Sequence, residues 1–222
     1  MNRVILSAST DETILAVTRQ HKLVDLEIEQ QINTEIVGCI YKGVVKNIVP
    51  AVDGIFVDIG IGKNAFLRRK DLLNEKRFPT EGSPILAQVI KSDTDMKGAL
   101  ITEKISMFGK YAVTLSGTGY IGVSKKIRQE SVRKRLKEIG KEICAEHMGL
   151  IIRTAAENAD MDEFRKDITR LKENWDIIQK RFRMEKSPTL LYRESDIIVK
   201  ALRDYVNKGT EILITDLSLI HI

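Results

Sequence analysis

Residues 36–103 restrict the fold more than any other part of the chain. The runs IVGCIYKGVVKNIVP, GIFVDIGIGKNAFLRR, PILAQVIKSD and GALIT read as four to five short strands. Gly43, Gly54, Gly60, Gly62 and Gly82 punctuate them, together with Pro50, Pro79 and Pro84. Short strands at this spacing predict a small closed barrel.

The flanks have a different texture. Residues 3–28 read as a strand meander, RVILSA, TILAVTRQ and KLVDLEIE, broken at Thr10–Asp11–Glu12 and at Gln20–His21. Leu23, Leu26 and Ile28 mix with acids, as on a half-solvated sheet. Helices follow the barrel segment. Residues 131–143 place Val132, Leu136, Ile139 and Ile143 on one face, and residues 161–180 do the same with Phe164, Ile168, Leu171, Trp175 and Ile178. Trp175 therefore reads as core. Asp160 followed by Glu163 resembles a capping box. A third helix is expected over about 195–207, with Ile198, Ala201, Leu202 and Tyr205 on its apolar side and Gly209 as a stop. The strand EILIT comes next. The whole is an α/β (α+β) chain of several subdomains.

With 43% hydrophobic residues the chain can build a packed core. No run approaches the roughly 18 apolar residues of a membrane helix, and the N-terminus turns polar too soon for a signal peptide. A cytoplasmic protein is expected. Cys39 and Cys144 lack CxxC or His-rich company and read as reduced thiols. His21, His147 and His221 are isolated, so neither a metal cluster nor a nucleophile–base pair is visible. The net charge of +5 is concentrated: residues 121–143 hold eight Lys/Arg against three Glu, which accounts for all of it. Such a surface suits a polyanion such as nucleic acid, or is simply a Lys-rich solvated helix face.

Two places suggest chemistry. Phe56 lies between Ile55 and Val57, so alternation turns it away from both, and Phe66 lies in the next strand. Aromatics on neighbouring barrel strands can stack single-stranded bases, although pattern alone slightly favours both filling the barrel, because aromatics usually are core. In GLIIRTAA, Gly149 to Ala156, an apolar strand ends on Arg153 and Thr154. That sets a fixed cation beside a hydroxyl; it is also an ordinary strand end.

A resemblance adds to this reading. YKGVVKNIVPAVDGIFVDIGIGKNAFLRRKDL is similar to S1-type RNA-binding OB-folds, with Ala65 where Gly is usual. MNRVILSAST, VDLEIE, IYKG, MKGALIT, GLIIRTAA, ESDIIVKALRDY and EILIT occur in the same order in the ribonuclease E/G family, bacterial endoribonucleases acting on single-stranded RNA. The chain to about Asp216 resembles the N-terminal half of that family. The resemblance implies a split ribonuclease H-like fold (1–35, resuming at 200–216), an inserted S1-type OB-fold domain (36–105) and a mixed α/β 5′-sensor subdomain (106–199). It implies that Phe56, Phe66 and Lys97 contact RNA. It also implies that Gly109, Val113, Arg153 and Thr154 bind a 5′-monophosphate, with Gly109 and Val113 in a facing loop, FGKYAV. Magnesium-dependent cleavage of RNA in rRNA and tRNA processing and mRNA decay is implied for the intact protein, along with homo-oligomerisation and contact with RNA-decay machinery. The family's metal-binding catalytic domain and zinc link would follow this segment. No catalytic or metal-binding residue is therefore assigned to this chain, which is expected to be inactive alone. Residues 217–222, LSLIHI within the tail after Asp216, depart from the family, as an early end to the reading frame would produce. The alternative is a stand-alone, non-catalytic single-stranded RNA-binding protein.

Overall fold

The computed structural model describes residues 2–9, 12–30, 36–94, 97–144, 148–193, 197–206 and 210–217. Two compact units emerge, Met1–Glu35 with Ser195–Ile222, and Ile36–Glu194. In chain order, β1 (Asn2–Ala8), β2 (Glu12–Arg19) and β3 (Lys22–Gln30) begin the first unit. The second holds β4 (Ile40–Val49), β5 (Gly54–Asp58), β6 (Ala65–Arg68), β7 (Pro84–Lys91) and β8 (Leu100–Thr102). It continues with β9 (Ser106–Phe108), β10 (Ala112–Ser116), β11 (Ile121–Val123), α1 (Glu130–Ile143), β12 (Met148–Ile152), α2 (Met161–Met184) and β13 (Thr189–Tyr192). The chain then returns to the first unit with α3 (Ile197–Tyr205) and β14 (Thr210–Leu217).

The first unit is a sheet in the order β14-β1-β2-β3, with β14 parallel to β1 and the rest antiparallel. Strand alternation puts Val4 opposite Val17 and Leu6 opposite Leu15, and α3 lays Ile197 and Ala201 over them. The helix stripe is centred on Ile197, Ala201 and Tyr205. Leu202, expected on that stripe, falls at its margin and is exposed. Gln20 and His21 both adopt left-handed φ, 52° and 64°, as a tight β2–β3 hairpin turn requires. His147 and His221 lie outside the described residues.

In the second unit, β4, β5, β6, β8 and β7 pair in sequence and β7 pairs back to β4, closing a barrel. Ile55, Val57, Ala65, Leu67, Ala87 and Ile101 fill it, all fully buried. β13 adds outside the barrel, on β4. The buried Lys42 of β4 donates to the carbonyls of Phe182 (2.7 Å) and Glu185 (2.6 Å) at the end of α2. It thereby satisfies carbonyls a helix terminus leaves open. Arg181 of α2 donates to the carbonyls of Leu190 and Leu191 in β13. These bonds fasten α2 to the barrel wall.

The remaining sheet has the order β11-β12-β10-β9. Its inner row, Met107–Thr114–Leu150–Ile121, is buried under α1 and α2. Most of this sheet escapes a sequence reading because β9 and β11 are too short to show a period. FGKYAV, expected as a loop, is the end of β9, the turn Gly109–Lys110–Tyr111 and the start of β10. α2 begins as expected and runs on to Met184. Asp160 caps it by accepting from the amides of Asp162 (2.9 Å) and Glu163 (3.2 Å). Trp175 is half-buried against the core and also lines a cleft of about 590 Å³ with Lys172, Lys180 and Arg183. Neither Cys39 nor Cys144 is joined in a disulfide.

Candidate nucleic-acid interface

The barrel presents an outer row made by register. Asn47 of β4 pairs with Phe56, Phe56 with Phe66, and Phe66 with Leu100. Ile55, Val57, Ala65 and Leu67 point inward, so strand alternation turns both phenylalanines out, where they are partly exposed. Their ring centroids are 5.4 Å apart, tilted by 52°. The Phe66 ring lies over Gly54, where any Cβ would come within 2.3 Å of it. Lys97 is exposed in the turn that leads to β8, and its amide donates to Thr94 Oγ1 (3.2 Å). The pair is thus a surface feature rather than barrel filling.

A second constellation forms at the end of the four-stranded sheet. Arg153 follows β12, and its Nη1 donates to the carbonyl of Gly109 at 2.8 Å. Its own amide donates to the carbonyl of Tyr111 (2.8 Å). The Thr154 hydroxyl is 3.0 Å from that of Ser124. Val113 lies in β10, opposite Ile151 of β12. Gly109, Arg153 and Thr154 therefore converge, with Val113 on the adjoining strand.

Helix α2 holds this constellation from below. The buried Asp167 carboxylate accepts from the amides of Tyr111 (2.8 Å) and Lys110 (3.2 Å) and pairs with Arg170 (3.2 Å). A Cβ on Gly109 would sit 2.4 Å from Asp167 Oδ2, so that carboxylate requires glycine there. One turn earlier, Glu163 accepts from the Tyr111 hydroxyl at 2.6 Å. Burial, then that hydrogen bond, pushes the Tyr111 hydroxyl up to about 12. The reciprocal half of a capping box would have turned Glu163 back to the helix start; here it faces Tyr111. Asp167 and Ser124 are not among the residues the sequence singled out, and Glu163 stood out there only as a capping residue.

The comparisons with known proteins bear on both places. A sequence profile of the S1 RNA binding domain matches residues 34–102, which contain the barrel, and a profile of the Ribonuclease E/G family matches residues 106–220. The chain belongs to the ribonuclease E/G family. Ribonuclease G of Escherichia coli strain K12 is 33% identical over 221 residues, which cover 92% of this chain and 45% of that protein. Ribonuclease G of Haemophilus influenzae is 32% identical, covering 94% and 46%. Ribonuclease E of Buchnera aphidicola is 31% identical, covering 100% and 25%. This member of the ribonuclease E/G family thus spans less than half the length of the curated relatives it matches.

Among the described residues no three His, Cys, Asp or Glu side chains are grouped to hold a metal ion. No described helix is long and apolar enough to cross a membrane.

Proposed function

We propose that this chain is the RNA-recognition half of an endoribonuclease that cleaves single-stranded RNA and senses a 5′-monophosphate. In this reading, the barrel row of Phe56 and Phe66, with Lys97, grips the strand, while Gly109, Val113, Arg153 and Thr154 hold its 5′ end. Residues 1–35 and 200–216 are the two parts of a ribonuclease H-like fold, and residues 106–199 are the sensor. Magnesium-dependent hydrolysis belongs to the intact enzyme, which acts as a cytoplasmic homo-oligomer in RNA processing and decay. The present chain binds RNA without cutting it.

The observation that carries the reading is the bond from Arg153 to the Gly109 carbonyl beside Thr154. A guanidinium has five donors in a fixed plane. Fixing that plane with one bond orients the fork for an anion and lowers the entropy lost on binding.

The test compares one short RNA with a 5′-monophosphate or a 5′-hydroxyl. Wild type should prefer the phosphate about tenfold or more, since a charge-assisted hydrogen bond contributes about 1.5–3 kcal/mol. Arg153→Ala should abolish the preference and still bind. Phe56→Ala should weaken both RNAs by about 1–3 kcal/mol. Full phosphate discrimination by Arg153→Ala would remove the sensor assignment, and magnesium-dependent cleavage by the repurified chain would remove the claim of inactivity.

A further inference from the structure

The cleft beside Trp175 lies between the barrel and α2, at the far end of the four-stranded sheet from Arg153. In the β10–β12 ladder Ala112 pairs with Ile152, next to Arg153, and Ser116 pairs with Met148 at the other end. Ser116 and Met148 line the cleft, so about 13 Å of strand separates it from the phosphate contacts. No lining residue belongs to β5 or β6, which carry Phe56 and Phe66. The volume, about 590 Å³, is that of a site for one small molecule.

One wall is a single face of α2. Lys172, Trp175, Asp176, Gln179, Lys180 and Arg183 recur at helical spacing and span about 16 Å of helix. Leu73, which leans against Gly117, faces them together with Leu86 and Glu103. Apolar surface thus meets three cations. Arg165, Arg170 and Arg181 of the same helix pair with carboxylates. Among the described residues Lys172, Lys180 and Arg183 have no such partner. Met148 is buried, Lys172 and Trp175 are half-buried, and Lys180 and Arg183 are exposed, so the cleft is apolar inside and cationic at its mouth. Glu103 supplies an acceptor on the facing wall. It takes a hydrogen bond from the Leu73 amide (2.9 Å); burial raises its carboxyl above the usual range, and that bond lowers it.

We infer that this cleft binds a free nucleoside triphosphate, with its base against Trp175 and its phosphates held by Lys180 and Arg183. The ligand's order, a flat ring followed by a chain of anions, is the order of the cleft from inside to mouth. Two cations about one helical turn apart suit a run of phosphates better than a single carboxylate. The amino group of adenine is a donor for Glu103. A strand of RNA would need an exit at both ends, and Met148 with Lys172 occupies the inner one. The inference uses none of the residues of the end-sensing reading and stands apart from it.

The test titrates the whole chain with ATP, following the single tryptophan, Trp175, by fluorescence with calorimetry beside it. Saturable quenching is expected. Inorganic triphosphate, which has the charge without the base, should bind about tenfold more weakly, as loss of a stacked base predicts. Lys180→Gln combined with Arg183→Gln should weaken ATP at least about tenfold, since two charge-assisted contacts go. Arg153→Ala should bind ATP as wild type does. No binding of ATP, or equal binding of ATP and inorganic triphosphate, would overturn the inference. So would an Arg153→Ala loss as large as that of the double variant, which would put ATP at the other site. A double-variant loss on a 5′-hydroxyl oligonucleotide as large as the loss on ATP would also overturn it, by making the occupant a strand of RNA.

Discussion

Asp167 shows how one side chain can govern a site it does not enter. Its carboxylate is almost wholly buried, and two backbone amides plus Arg170 satisfy it. Removing it leaves the amides of Lys110 and Tyr111 without their acceptor, and an unsatisfied buried donor costs about 1–3 kcal/mol. Asp167→Ala should therefore lose about 2–6 kcal/mol in urea unfolding, both amides counted. Arg170→Ala, which removes an exposed partner, should lose under about 1 kcal/mol. Equal losses would mean that the ion pair, not the amide bonds, holds the turn. Arg153 and Thr154 stood out in the sequence because a cation and a hydroxyl end an apolar strand. Asp167 did not, because the amides it serves are more than fifty residues earlier, at Lys110 and Tyr111. On a helix, an acid beside an apolar stripe looks like an ordinary surface residue.

At the level of elements, the basic segment divides into cations that build and cations that face water. Arg133 donates to the carbonyls of Ser124 (2.7 Å), Ile127 (3.0 Å) and Val123 (3.3 Å), anchoring the β11–α1 connection. Lys134, Arg135, Lys137 and Lys141 are exposed on α1. Counting charges in the sequence treats them all alike; only the fold separates the role of Arg133. If the exposed set meets RNA phosphates, each contact contributes about 0.7 to the slope of log affinity against log salt for a single strand. Changing Lys134, Arg135 and Lys137 to Gln should then lower that slope by about 2. The phosphate-over-hydroxyl preference should stay as it is. An unchanged slope would show that α1 is only a solvated face. The long amphipathic helices and the barrel strands were legible because each repeats its period several times. β9 and β11 never complete one, so tertiary pairing alone defines them.

For the molecule as a whole, the division into units follows a simple rule of chain path. Ile36–Glu194 is continuous, and the strands of its barrel and of its second sheet pair with one another. Expressed alone, residues 36–194 should unfold cooperatively in urea, with Trp175, the chain's single tryptophan, reporting the transition. A broad, non-cooperative change in its fluorescence would show that this unit needs the other to fold. The first unit obeys the opposite rule. β1 pairs in parallel with β14, Asn2 with Thr210, and Arg3 meets Glu211 at 2.6 Å. A ribosome adding about 5–20 residues per second needs about 10–40 s to travel from one strand to the other. Through that interval the edge of β1 stays unpaired, and Val4 and Leu6 wait for Ile197 and Ala201 to cover them. β1 is thus made long before it is secured, and its open edge is where a chaperone would find a long-lived sticky surface on the growing chain.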